Sequence, residues 1–267
     1  MKSFIFCILF LLTPIALVAQ NGEPSDYLSS DFHKERREAL RTKMPSNSVA
    51  VFFANAVRNR ANDVEYVYHQ DPNFYYLTGY KEPHAVLVIF SDIQEKDGKT
   101  YNELFYVQER DARAEMWTGY RLGVEGAKEK LGFDMAYNGK EFLDSGIDFI
   151  TFDKVMFDDF KDDYRDSERN PADLHSLISS FKTQVGYYLE PAEEITEDNT
   201  ILDRNIEGNL PSKRAKIDTK TLSTLMGGLR QIKTPEEMKL LTKSVRISAM
   251  GQIEVMKAMH PNMSETE

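Results

Sequence analysis

The sequence has almost no cysteine, and it lacks the common catalytic motifs. Its single cysteine, Cys7, lies in an apolar N-terminal segment. A chain that loses this segment has no disulfide, no cysteine zinc site and no thiol nucleophile, and it suits an oxidising compartment. The motifs H-E-x-x-H, G-x-S-x-G, G-x-x-x-x-G-K-[ST] and G-x-G-x-x-G are all missing. By its motifs alone, this chain is not a complete enzyme.

Signatures of metal binding and nucleic-acid binding are missing as well. No two histidines have the i, i+3 or i+4 spacing of a helical metal site, so we interpret each as a surface or core-edge residue: His33, His69, His84, His175 and His260. The formal net charge of -10 leaves no basic stripe for phosphates and argues against a nucleic-acid partner. Carboxylates are plentiful, but a catalytic pair is defined in space and cannot be identified from sequence.

No apolar run reaches the roughly 20 residues that a membrane-spanning helix needs. The run from Phe4 to Val18 follows Lys2 and precedes Ala19 and a polar stretch, which is the order of a secretory signal peptide. We therefore predict a signal peptide over residues 1–19, a location in the periplasm or outside the cell, and no membrane association after cleavage. An uncleaved membrane anchor is the alternative.

The sequence does contain ample material for a packed core, with 41% hydrophobic and 11% aromatic residues. Apolar runs bounded by turn residues predict strands, and the last two of them predict a hairpin: 48–54, 65–70, 85–90 and 103–108. Charged or periodic segments predict helices at 31–44, 123–132 and 171–183, the last with proline in its first turn. Strands and helices in this order indicate an α/β domain around a central sheet. The acidic run 158–169 lacks the spacing and the glycine of a calcium loop, and we interpret it as a solvated loop.

The C-terminal part begins a second unit. Thr234 to Glu237 form a capping box with proline at the first helical position, which predicts a helix start. Three-to-four spacing of apolar residues predicts one buried stripe on this helix: Met238, Leu241, Val245, Ala249, Ile253 and Met256. A second capping-box pattern at 264–267 has no helix after it, so we expect that the sequence is cut short.

Two stretches carry most of the functional information. Residues 71–90, DPNFYYLTGYKEPHAVLVIF, contain a turn and Gly79, and as residues alone they fit a sheet segment that packs aromatics. Residues 110–123, RDARAEMWTGYRLG, hold the only tryptophan, Trp117, among arginines that can bind carboxylates. This second stretch could hold a peptide terminus or a proline ring, could brace two subunits, or could pack within the domain.

Together these two motifs resemble the N-terminal domain of Xaa-Pro aminopeptidases (aminopeptidase P), in the creatinase/prolidase group of metallopeptidases. The resemblance extends to L-R-x-I-K-T-P-E-E-M-K-x-L from Leu229 to Leu241, which is similar to the start of that family's catalytic domain. It implies a creatinase-like α/β domain over residues 20–230, with a core of about 31–170 and a mixed central sheet flanked by helices. Residues 231–267 would then begin a truncated pita-bread (α+β) catalytic domain, and HPNMSETE, residues 260–267, resembles the phrase just after its first helix.

The resemblance also implies a function for the whole protein. The family's catalytic domain binds two divalent metals, usually manganese, through two aspartates, one histidine and two glutamates, and none of these five ligands can be placed in this sequence. The substrates would be peptides with proline in second position, and the protein would form a dimer or tetramer. Trp117, with Arg121 and Arg113 as weaker candidates, would shape substrate access or a subunit interface, and we expect the chain as given to be inactive alone. The alternatives are an Xaa-Pro dipeptidase, a creatinase-like relative, and a stand-alone oligomerisation or peptide-binding module without catalysis.

Overall fold

The computed structural model describes residues 27–96, 98–161, 163–165, 167–189, 213–264 and 266. The predicted signal peptide with Cys7 lies outside the described residues, as do Glu265 and Glu267. The helices in this part of the chain are α1 Ser30–Arg41, α2 Pro72–Thr78, α3 Ala112–Thr118, α4 Gly123–Leu131, α5 Gly139–Phe142, α6 Leu174–Gln184, α7 Thr221–Gln231 and α8 Pro235–Ala258. The strands are β1 Ser48–Phe53, β2 Asn59–Ala61, β3 Val64–Glu65, β4 Val86–Lys96, β5 Lys99–Val107, β6 Ala136–Asn138, β7 Lys154–Met156 and β8 Ile217–Asp218.

Six strands form one mixed sheet in the order β6-β5-β4-β1-β7-β8. The strand β4 is antiparallel to both of its neighbours, whereas β1, β7 and β8 are mutually parallel and β5 is parallel to β6. All strands of this sheet except β4 therefore run in the same direction and end at the same edge. Ligands bind at such an edge in many open α/β sheets.

Both faces of the sheet are buried, and alternate residues of each strand supply the two cores. Ala50 and Phe52 of β1 pack with residues of α1, α2, α4 and α7 on one face. Val49 and Val51 pack on the other face with residues of α5 and α6 and with the aromatic residues around Phe157. The predicted α/β architecture, a mixed central sheet flanked by helices, is confirmed.

Most of the predicted strands and helices are present, with two clear corrections. The predicted strand at 65–70 is wrong, because only Val64 and Glu65 pair, in a two-stranded sheet with β2. Residues 74–78 form part of α2 and not a sheet segment. Asp71 caps this helix, since its Oδ1 accepts the N–H groups of Asn73 and Phe74, and Pro72 occupies the first turn.

Gly79 ends α2 in the left-handed conformation, with φ of 70°. A Cβ atom at this position would lie 2.7 Å from Nε2 of His33, so a side chain is excluded by space as well as by backbone conformation. His33 itself is buried and donates from Nδ1 to the carbonyl oxygen of Tyr76 at 2.9 Å. His33 is thus a buried residue whose ring is held by a hydrogen bond beside Gly79.

Two further helix predictions differ in detail from the structure. The helix α6 begins at Leu174, after the N-cap Asp173, so Pro171 lies outside its first turn. The capping box of α8 is confirmed: Thr234 Oγ1 accepts the N–H of Glu237, whose carboxylate accepts the N–H of Thr234. The predicted burial of the α8 stripe is wrong, because none of its residues is buried in the described chain.

Of the helices described, none combines the length and the hydropathy needed to span a bilayer.

Candidate functional site

A cleft of about 420 Å³ opens at the sheet edge where the parallel strands end. Gln108, directly after β5, and Val57, shortly after β1, line it, together with residues 82–84 just before β4. Arg165 and Arg169, in the segment before α6, and His175, in the first turn of α6, line the cleft as well. Trp117 and Arg121 also line this cleft, so the structure brings two of the three predicted site residues together.

The tryptophan is held out at the rim of the cleft by α3. Asp111 caps this helix, since its Oδ1 accepts the N–H groups of Arg113 at 2.9 Å and Ala114 at 3.1 Å. The Trp117 side chain is 88% exposed, which is unusual for the only tryptophan of a chain. Tryptophan is a common anchor of protein and peptide interfaces, and the exposed ring of Trp117 is accessible for such a contact.

The two arginine candidates differ in position. Arg121 is half-buried in the cleft wall, and its Nη1 lies 3.5 Å from the carbonyl oxygen of Glu109. Arg113 is exposed on α3 and is not among the described residues that line the cleft. The geometry therefore supports Arg121 as a companion of Trp117, whereas Arg113 can only meet a ligand or partner that approaches from outside.

Glu82 joins the two sequence motifs. Its Oε1 accepts the N–H of Leu122 at 2.7 Å, and its Oε2 accepts the hydroxyl of Tyr80 at 3.0 Å. Burial raises the pKa of this carboxyl above its usual range, although the hydrogen bond from Leu122 opposes the shift. The motif around FYYLTGY thus holds the segment that follows Trp117 in place.

His84 is a cleft residue that the sequence did not single out. It has a positive φ of 59°, and its Nδ1 accepts the N–H of Leu174 at 3.0 Å. Burial lowers its pKa to about 4, so the ring is neutral at pH 7. Because Nδ1 accepts a hydrogen bond, the proton of the neutral ring is on Nε2. A bulky non-glycine residue at positive φ is rare and often marks a functional site, but sequence alone does not reveal it.

Charges in the cleft are mixed. Arg165 and Arg169 both approach Glu65, at 3.8 Å and 3.7 Å, and Asp173 is occupied by hydrogen bonds at the start of α6. Within the part of the chain that the structure describes, no group of three or more His, Cys, Asp or Glu could hold a metal ion. The cleft thus presents arginine, aromatic and histidine side chains to a ligand.

Comparison with known proteins identifies the domain. Residues 33–150 match the family described as "Aminopeptidase P, N-terminal domain". This chain contains an aminopeptidase P N-terminal domain. The family resemblance found in the two sequence motifs is thus confirmed, and these residues include α3 and Trp117.

The relatives of this domain are peptidases. The chain is 30% identical over 241 residues to the Xaa-Pro aminopeptidase of Escherichia coli K12, with 89% of this chain and 47% of the relative covered. The solved structure of E. coli aminopeptidase P with the inhibitor Pro-Leu has a TM-score of 0.62 and 28% identity, over 89% of this chain and 47% of that one. Proline aminopeptidase P II of Yersinia pestis gives a TM-score of 0.63 and 26% identity, over 90% and 48%. The chain thus spans about half the length of these relatives.

Proposed function

We propose that this chain is the N-terminal part of an exported Xaa-Pro aminopeptidase, a two-metal hydrolase that removes the first residue from peptides with proline in second position. The observation that carries the proposal is the presentation of Trp117, 88% exposed on α3 at the rim of the cleft, by an aminopeptidase P N-terminal domain. Peptidase relatives about twice as long support a second, catalytic domain in the same protein.

In this proposal the described domain positions substrate or subunits and does not break the bond. We assign the two manganese ions that the resemblance implies to the catalytic domain as part of this proposal, which is supported by the lack of a group of three or more His, Cys, Asp or Glu that could hold a metal ion among the described residues. Trp117 offers a flat, rigid face for a proline ring or a partner surface, and Arg121 beside it offers a fork for a carboxylate. A homo-oligomer, dimer or tetramer, would bring this surface near the cleft of a neighbouring subunit.

The direct test is hydrolysis by two proteins, the 267-residue chain and the product of the whole reading frame. Each is incubated with Mn²⁺ and either an Xaa-Pro dipeptide or a longer Xaa-Pro peptide, and the released residue is identified by mass spectrometry. We expect cleavage of the longer peptide by the whole product and no cleavage by this chain alone.

Three outcomes would contradict the proposal in different ways. Cleavage by this chain alone would place catalytic residues within it. Activity of the whole product on dipeptides only would make it an Xaa-Pro dipeptidase. A reading frame that adds no metallopeptidase domain would favour a stand-alone binding module.

A further inference from the structure

We propose that Arg110 and Glu115 form a clasp that positions Trp117 by closing the segment 110–123 on itself. The inference rests on the proposed function, in which Trp117 is the contact residue, and it names the two side chains that fix its orientation. Neither of them lines the cleft, so both act through Trp117 as positioning residues.

The helix α3 needs such a device because it has no support from the core. It is seven residues long, and none of its residues is buried. Isolated helices shorter than about 12–15 residues are marginal in water, and most helices are stabilised by packing an apolar face. The orientation of Trp117 therefore depends on local hydrogen bonds.

Glu115 is the acceptor at the centre of these bonds. Arg110 donates from Nε to Oε1 at 2.6 Å and from Nη2 to Oε2 at 2.9 Å, and the N–H of Asp111 donates to Oε1 at 3.3 Å. Exposed ion pairs usually contribute little. This one is bidentate, and the Glu115 side chain is only 10% exposed, so its geometry is fixed. The hydrogen bonds from Arg110 hold the pKa of Glu115 below its usual range, and the pair therefore persists at neutral pH.

Arg110 also reaches the far end of the segment. Its guanidinium lies 3.9 Å from the centre of the Tyr120 ring, a cation–π contact. Its aliphatic part lies over Gly123, where an added Cβ would be 2.7 Å from Cγ of Arg110. Gly123 has a positive φ of 67°, so both its conformation and the available space favour glycine. Arg110, which lies before the helix that carries Trp117, thus contacts one residue within this helix and two residues after it.

The clasp can be measured without catalysis, since Trp117 is the only tryptophan of the full chain. The test variant is Glu115→Gln, and the control is Glu125→Gln, an equivalent change in the exposed Glu125–Lys128 pair of α4. Time-resolved fluorescence anisotropy reports the local motion of Trp117, and the rate of trypsin cleavage after Arg113 reports the opening of α3. Glu115→Gln should increase the fast local motion of Trp117 and speed the cleavage on the order of tenfold, whereas Glu125→Gln should change neither. Unchanged anisotropy and cleavage in Glu115→Gln would overturn the clasp.

A second variant distinguishes local loosening of Trp117 from unfolding of the whole chain. If Glu115→Gln lowers the melting temperature of the whole chain, Arg110→Lys decides, because lysine keeps the charge but lacks the fork. Arg110→Lys should loosen Trp117 in the same direction with an unchanged melting temperature. Wild-type anisotropy and cleavage in this variant would overturn the clasp.

The functional consequence is tested separately in the product of the whole reading frame. Glu115→Gln should raise KM for an Xaa-Pro peptide with bound metal unchanged, and it should add no further loss to Trp117→Ala, because it acts through that side chain. Full additivity of the two changes would overturn the positioning role. If the whole product has no peptidase activity, the proposed function fails, while anisotropy and cleavage still decide the clasp.

Discussion

The first and last described helices, α1 and α8, show opposite relations between sequence and burial. More than half of the residues of α1 are charged, and yet Phe32, Leu40, Arg37 and Arg41 are among its buried residues. The helix α8 carries an apolar stripe over 24 residues, and none of them is buried. Whether a helix is buried in this structure therefore depends on whether another part of the chain packs against it, and not on the hydrophobicity of its own residues.

The arginines of α1 can be buried because Glu103, on the β4–β5 hairpin, supplies a carboxylate that both of them bind. Arg37 is fully buried, and its Nε donates to Glu103 of β5 at 2.9 Å, while Arg41 donates to the same oxygen at 3.0 Å. Two further groups donate to backbone carbonyls, Arg37 Nη1 to Leu77 and Arg41 Nε to Phe90, whereas Arg37 Nη2 has no hydrogen-bond partner among the described residues. Buried arginines are tolerated only with such partners.

The apolar helix is attached at its beginning. The carboxylate of Glu236 in its first turn accepts the N–H of Ser29 at 2.7 Å and its hydroxyl at 3.3 Å, next to the start of α1. Further along the helix, its apolar residues are exposed in the described chain: Leu241, Val245, Ile247, Met250, Ile253, Val255 and Met256. The fold of the N-terminal domain should therefore be independent of the α8 stripe.

The largest loss of unfolding free energy should come from replacing Glu103, the carboxylate that Arg37 and Arg41 share. Glu103→Gln leaves the buried Arg37 without a counter-charge, and breaking a buried ion pair costs about 3–5 kcal/mol of unfolding free energy. Glu103 is only 14% exposed, so water cannot replace the lost charge. Urea unfolding measures the loss. Glu95→Gln, on the exposed end of the same hairpin, serves as the control, and its unfolding free energy should stay within about 0.5 kcal/mol of wild type. Equal losses in the two variants would contradict a stabilising ion pair between Glu103 and the arginines of α1.

A matched pair of leucines compares the two helices directly. Leu40→Ala on α1 removes a fully buried side chain and should cost about 2–5 kcal/mol. Leu241→Ala on α8 removes an exposed one and should cost less than about 0.5 kcal/mol. Both are measured as shifts of the urea midpoint at constant slope. A core-sized loss for Leu241→Ala would show that α8 packs against the domain in solution.

The smallest predicted effect is a pH dependence that arises from α1. Burial lowers the pKa of His33 below 6.5, so the unfolded chain binds a proton that the folded chain does not. This contribution to stability is complete above pH 6.5 and is lost as the pH falls below it. His33→Gln should reduce the fall in unfolding free energy between pH 7.5 and 5.5. An unchanged pH dependence would mean that His33 is hydrated and titrates normally.

Local signals made several elements predictable. The strands β1, β4 and β5 and the capping box of α8 could be predicted from sequence, because an apolar run bounded by turn residues and a capping box are both local patterns. The helix α2 was missed because its aromatic residues favour strands. Asp71 and Pro72 start a helix there, and Phe74 and Leu77 pack at i, i+3 spacing on one face.

The site was only partly predictable for the same reason. Trp117 and Arg121 stand out in the sequence by their residue types. The helix α3 is held by the Arg110–Glu115 ion pair and by its N-cap Asp111, and only the structure shows which residues form these bonds. The strained His84 and the bond from Leu122 to Glu82 depend on residues distant in sequence. Nothing local distinguishes this histidine from the other four.

The most direct measurement uses Trp117→Ala in the product of the whole reading frame, with kcat/KM for an Xaa-Pro peptide and bound metal determined on the same preparation. If Trp117 is a substrate-side or interface residue, kcat/KM should fall roughly tenfold or more, as for an anchor residue, while the metal content equals that of wild type. Loss of metal, or unchanged kinetics and an unchanged oligomeric state, would contradict this role.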